Sequence, residues 1–204
     1  MGERLFPIFC LGCGAEGGWL CPVCILKPEL LKQPLDTKKT DLDGVFSLFP
    51  YNDPLIARLI KKLKYQGALD VAEIFDFYLR RFLERQALPA AVIVPIPLAR
   101  PRYVERGFNQ SELIAKSLAE AGDLLLDTKR LRRVRVTKPQ TGLGGVERED
   151  NLAGAFAARG RFDDEAVILV DDVFTTGSTL QEAARACRAA GAVQVWGLTI
   201  AREL

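Results

Sequence analysis

The sequence predicts an α/β fold, a mainly parallel sheet flanked by helices, with a small cysteine-rich module ahead of it. Three observations carry this. Short apolar runs of strand type alternate with longer segments of helical periodicity, the pattern of a parallel sheet covered on both faces. Four of the five cysteines fall between Cys10 and Cys24. The stretch that follows them is polar and carries no periodic apolar pattern. The expected organisation is a cysteine module over 1–32, a linker over 33–44 and the α/β domain over 45–204.

Composition narrows the classes. The 204 residues are 49% apolar and 26% charged, which suits a globular chain. A net charge of +2 excludes a molecule that binds nucleic acid through its overall charge; any basic surface is local. No apolar run approaches the roughly 18 residues of a membrane span. The longest candidate, Ala90 to Ala99, is broken by Pro95 and Pro97. No secretory signal pattern opens the chain, so a cytoplasmic location is expected. Histidine is absent, which removes Ser–His nucleophile pairs, histidine bases and histidine metal ligands.

The first element is the cysteine cluster. Cys10 and Cys13 form one C-x-x-C pair and Cys21 and Cys24 another, with seven residues between them. Four thiolates so spaced suit one tetrahedral Zn²⁺, and Gly12 and Gly14 permit the tight turns that aim sulfurs inward. A disulfide is the weaker alternative without an export signal, as is a redox pair away from the main fold. Such a zinc is structural, since four thiolates leave no open position. It can supply ~10–16 kcal/mol, against ~3 kcal/mol for a disulfide closing a loop of this size.

Within the α/β domain, Val45 to Phe49 reads as a strand. Asp53 caps a helix with Pro54 at its first position, and Leu55, Ile56, Leu59, Ile60 and Leu63 make its apolar stripe. Lys64-Tyr65-Gln66-Gly67 reads by itself as an ordinary C-terminal turn with cations at the negative dipole end. Asp70 with Glu73 suits a capping box opening a second helix through Phe75, Tyr78, Leu79 and Phe82. Ala91 to Ile96 is a buried-type strand. Asn109 with Glu112 caps a helix that stops near Gly122. The run Lys129, Arg130, Arg132, Arg133, Arg135 and Lys138 is the most basic in the chain. Such runs are usually solvated, but this one can also touch a polyanion or serve pyrophosphate. Thr137 to Asn151, with several glycines, reads as a mobile loop suited to be a lid. Ser178 or Thr179 caps the last helix, where Cys187 shares a face with Leu180, Ala183 and Ala184 as a small core residue. Val193 to Ile200 is the last strand.

Two segments carry chemistry. Val167 to Val170 leads into Asp171-Asp172-Val173-Phe174 and then Thr175-Thr176-Gly177-Ser178-Thr179. Beyond the carboxyl end of a parallel strand, paired carboxylates can accept hydrogen bonds from a ribose diol. The Thr/Gly/Ser turn offers N–H groups and hydroxyls to an anion at a helix N-terminus. The bland alternative is a strand end followed by a helix cap; a phosphoacceptor aspartate is a third, which leaves the crowded turn unexplained. The second segment follows Val94 with Pro95-Ile96-Pro97-Leu98, Arg100, Arg102 and Arg106-Gly107-Phe108-Asn109-Gln110. Read alone, it is as well a solvated basic loop as a pyrophosphate site; beside the first segment, pyrophosphate is favoured.

The stretch VILVDDVFTTGST resembles the signature of type I phosphoribosyltransferases, which bind 5-phosphoribosyl-1-pyrophosphate (PRPP). That resemblance implies a parallel sheet flanked by helices under a variable hood. It implies that Asp171 and Asp172 hold the ribose hydroxyls and that Thr175, Thr176, Gly177, Ser178 and Thr179 cradle the 5-phosphate. With the cysteine pairs, LKYQG, VPIPLARPRYVERGFNQ and TKPQTGL, nearly the whole chain resembles the ComF family. The resemblance adds Arg102, Arg106, Lys64 and Gln140 as PRPP-binding residues and Mg²⁺ as a companion of PRPP. It implies a role in natural competence, with single-stranded DNA, a DNA-translocating helicase and recombination mediators as partners; some relatives are named instead for gluconate utilisation. If the chain is an enzyme, the reaction is displacement of pyrophosphate at ribose carbon 1. A PRPP- or DNA-binding accessory protein without turnover is the other class.

Overall fold

The computed structural model describes residues 7–35, 40–65, 68–135 and 152–203. Its main sheet has four parallel strands: β1 (Gly44–Pro50), β2 (Val92–Pro95), β5 (Ala166–Phe174) and β6 (Gln194–Arg202), in the order β1-β6-β5-β2. Helices α1 (Pro54–Tyr65), α2 (Ala68–Leu83) and α4 (Gln110–Gly122) cover one face; α5 (Ser178–Ala189) covers the other. The strands alternate accordingly. Ile168 and Val170 enter the core under α1, α2 and α4, while Val167 and Leu169 enter the core under α5. The α1 stripe is buried throughout, and Cys187 lies in the second core as expected.

Several boundaries differ from the expectation. The loop after β2 contains a short helix, α3 (Arg100–Arg106). It buries none of its residues, so it carries no apolar periodicity to read. The basic run contributes β3 (Leu131–Arg133), which pairs antiparallel with β4 (Phe156–Ala158). These strands are three residues each, too short for a period to register. Asp70 lies inside the first turn of α2 rather than at its cap, because Ala68 and Leu69 already belong to the helix. Asp53 and Asn109 do cap their helices, through Leu55 N–H at 2.8 Å and Ser111 N–H at 3.1 Å. The proposed lid and Gln140 lie outside the described residues, as do Gln66 and Gly67.

The cysteine module rests on the α/β body. Leu11, Trp19, Leu20, Ile25 and Leu30 pack against the first core, and Lys62 of α1 stands 4.7 Å from the Trp19 ring centroid. Before β1, Leu42 is buried, and Asp43 accepts from the Val195 N–H at 2.6 Å and from Arg188 at 2.7 Å. Among the described residues no helix is long and apolar enough to cross a membrane.

Candidate functional site

The four sulfurs of Cys10, Cys13, Cys21 and Cys24 converge within 4.8 Å of one another, with Cys13 and Cys21 3.7 Å apart. A tetrahedron of thiolates on ~2.3 Å zinc bonds has edges of ~3.8 Å, so this donor set fits Zn²⁺. No disulfide joins the cysteines, and the four sulfurs face one common centre. Backbone N–H groups of Gly12 and Cys21 each donate to the Cys10 sulfur at 3.4 Å. Burial works to raise the Cys10 pKa, but these donors outweigh it and bring it down to about 6. Cys24 is pushed up to about 12 by burial and by its thiol neighbours, so a cation must drive its ionisation. Gly12 is required: a Cβ there would lie 2.6 Å from the Cys24 sulfur.

The second site lies at the carboxyl ends of β2 and β5. Pro95 pairs with Val170, and the Ile96 N–H closes that ladder on the Val170 carbonyl at 2.9 Å. From Asp171 onward β5 keeps its register with β6 alone, Asp171 opposite Thr199 and Val173 opposite Ala201. The acids therefore stand inside the strand, not past its end, on an edge that β2 has vacated. The chain leaves β5 toward one face and β2 toward the other, which makes this a topological switch point where ligands of α/β sheets bind.

Asp171 Oδ1 accepts from Ser111 Oγ and from the Asp172 N–H, both at 2.9 Å. Lys64 Nζ lies 2.9 Å from Asp172 Oδ2, a contact better described as an ion pair than as a well-directed hydrogen bond. Burial, and then the neighbouring Asp172 carboxylate, push the Asp171 carboxyl up to about 7, against the pull of the Asp172 N–H, Ser111 and Lys64. Beyond Phe174 the turn closes on Gly177, which has φ +81° and is the N-cap of α5. A Cβ there would meet the Phe174 ring at 2.8 Å, so both space and backbone demand glycine. Ser178 is thus the first helical residue rather than the cap, its hydroxyl 2.8 Å from Thr176 Oγ1. Gly177 brings no side-chain cap to this helix start, and the Ser178 N–H turns to Thr176 Oγ1 at 3.4 Å; the positive end of the helix dipole there favours an anion.

The structure brings Asp171, Asp172 and Lys64 together, with the turn Thr175 to Thr179 directly following on β5. Arg102 and Arg106 sit one turn apart on α3, and Arg106 donates to Gln110 Oε1 at 2.9 Å. One residue at this site, Ser111, is not singled out by the sequence; it gives no signal beyond its place two residues after the Asn109 cap.

No family model matches the chain. Among curated proteins, Competence protein F of Haemophilus influenzae is 33% identical over 206 residues, covering 96% of this chain and 85% of that protein. The DNA utilization protein YhgH of Salmonella typhi is 34% identical, covering 88% of this chain and 83% of that one. Competence protein ComFC of Streptococcus pneumoniae is 29% identical, covering 89% and 80%. Among solved structures, an allosteric regulatory enzyme of purine biosynthesis aligns with 69% of this chain and 30% of its own, at 17% identity and a TM-score of 0.44. The fold assignment rests on the strand order, not on that likeness.

Purified protein should carry about one zinc per chain by elemental analysis. Replacing Cys10 and Cys21 together by serine should abolish it; full retention would show that the thiols hold no metal. A second outcome follows from Asp171. Its folded pKa of about 7 lies above the ordinary 3.8, so the folded chain keeps a proton that the unfolded chain loses. That contribution to stability is complete below the ordinary value and lost as pH rises through 7. In thermal melts without ligand, Asp171→Asn should gain on the parent from pH 4 to pH 8. Parallel curves would mean that Asp171 titrates normally.

Proposed function

The chain belongs to the ComF family, and on that premise we propose that it binds PRPP with Mg²⁺ in the crevice between β2 and β5, in the service of natural competence. The observation that carries this is the placement of two acids on the open edge of β5, one short turn ahead of the N-terminus of α5 with glycine at its cap. The 5-phosphate sits on the Thr175 to Thr179 turn. Ribose hydroxyls 2 and 3 donate to Asp171 and Asp172, whose carboxylate oxygens are acceptors. Pyrophosphate faces Arg102 and Arg106. Mg²⁺ held by PRPP supplies further neutralisation of the pyrophosphate. Lys64 keeps the acid pair from carrying two uncompensated charges in the free chain.

If an acceptor attacks ribose carbon 1, the acids hold the sugar while positive charge develops on it and the arginines receive the leaving pyrophosphate. Pyrophosphate release from Mg-PRPP in the presence of candidate nucleobases separates a transferase from a binding protein. The relatives' names favour DNA handling over a gluconate setting. In that role single-stranded DNA, a DNA-translocating helicase and recombination mediators are the fitting partners, and Arg132 and Arg135, both exposed, are the side chains suited to DNA phosphates.

Calorimetry with Mg-PRPP tests the ligand. Converting Asp171 and Asp172 together to asparagine should weaken binding at least about tenfold, since charge-assisted bonds are each worth ~1.5–3 kcal/mol. Unchanged affinity would reduce the acids to a strand end. For DNA, anisotropy of labelled oligonucleotides across a salt series should show micromolar or weaker binding. Arg132→Ala with Arg135→Ala should flatten the salt slope by about 1.4, at ~0.7 per phosphate contact on single strands. An identical slope would make these arginines a solvated face.

A further inference from the structure

Ser111 stands where α4, the end of β2 and the acid-bearing edge of β5 meet. It lies in the first turn of α4, and the Asn109 side chain fixes that turn on two sides. The Asn109 carboxamide oxygen accepts from the Ser111 N–H at 3.1 Å, and its amide nitrogen donates to the Ile96 carbonyl at 3.0 Å. The helix start is thereby tied to the place where β2 leaves β5 unpaired. From there the Ser111 hydroxyl crosses to β5 and donates to Asp171 Oδ1 at 2.9 Å. Asn109, Gln110 and Ser111 are all buried, so the bond is made in a low-dielectric setting.

This bond separates the roles of the two Asp171 oxygens. Oδ1 accepts twice, from the Ser111 hydroxyl and from the Asp172 N–H, both at 2.9 Å. No described residue donates to Oδ2. The terminal torsion of an aspartate is broad, so a carboxyl on an open strand edge turns freely unless something holds it. Two donors on one oxygen hold it, and the second oxygen then keeps a fixed direction. The Ser111 donor also favours the charged form, against the burial and the Asp172 carboxylate that push Asp171 up. The helix itself does not need this hydroxyl. Asn109 already caps the Ser111 N–H, and alanine serves helix formation at the position at least as well. What the hydroxyl does is done for the carboxyl.

On the PRPP reading given above, we propose that Ser111 is a positioning residue, which holds Asp171 by one oxygen and leaves the other to a ribose hydroxyl. It acts on the sugar through Asp171 and touches neither end of the ligand. Its effect is therefore confined to ligands that carry the ribose, and it vanishes when the Asp171 carboxyl is removed.

The test compares three ligands by calorimetry: Mg-PRPP, ribose 5-phosphate and Mg-pyrophosphate. Ser111→Ala should weaken the first two about tenfold and leave Mg-pyrophosphate within about twofold. In a chain that already carries Asp171→Ala, adding Ser111→Ala should weaken Mg-PRPP no further. Ser111→Cys, close in size but a weaker donor, should fall between parent and alanine variant, and it carries the same comparison if the alanine variant does not fold. Ser117→Ala, on the same helix, should change none of the three. Equal weakening of all three ligands would mean that Ser111 only supports the fold and would overturn the proposal. So would a full further loss on top of Asp171→Ala. Unchanged affinity of Ser111→Ala for Mg-PRPP would overturn it while leaving the PRPP site intact. A parent chain that binds no PRPP would overturn both readings.

Discussion

At Pro95 the second strand of the sheet stops, while its neighbour β5 runs on to Phe174. Asp171 and Asp172 stand on that unpaired edge, and the end of β2 also opens the gap through which Ser111 and Lys64 reach them. Had β2 continued, its backbone would occupy the space beside the two acids. The prolines of the segment after β2 make the stop physical, because proline has no N–H to donate to a ladder. The loop, α3 and the Asn109 cap of α4 all take their positions from that stop, Asn109 binding back to the Ile96 carbonyl at 3.0 Å.

The same geometry ties the cysteine module to the crevice. Trp19 packs on the first core and under Lys62, and the last turn of α1 carries Lys64 to Asp172. A metal that orders the module thereby supports the helix that neutralises the acid pair. Four sulfurs at zinc spacing, two with opposite pKa shifts, are a frustrated set as free thiols, and one divalent cation resolves it.

Much of this was legible in the sequence. The cysteine spacing, the buried stripe of α1 and the acids followed by a Thr/Gly/Ser turn are local patterns whose physics is carried by nearby residues. The parts that were not legible depend on distant partners. A helix with no buried residue, α3, leaves no period. The β3–β4 ribbon is defined by pairing across more than twenty residues, which no short window contains. The cap of α5 passed from Ser178 to Gly177 because the Phe174 ring occupies the space beside it. Lys64 reads as a cation at a helix end, and only the fold shows that its charge is spent on Asp172.

A crystal structure of the chain with Mg-PRPP tests the central claim most directly. The account predicts the 5-phosphate on the Thr175 to Thr179 turn, the ribose hydroxyls within hydrogen-bonding distance of Asp171 and Asp172, and the pyrophosphate facing Arg102 and Arg106. PRPP bound elsewhere, with the acids still turned to Ser111 and Lys64 alone, would contradict it.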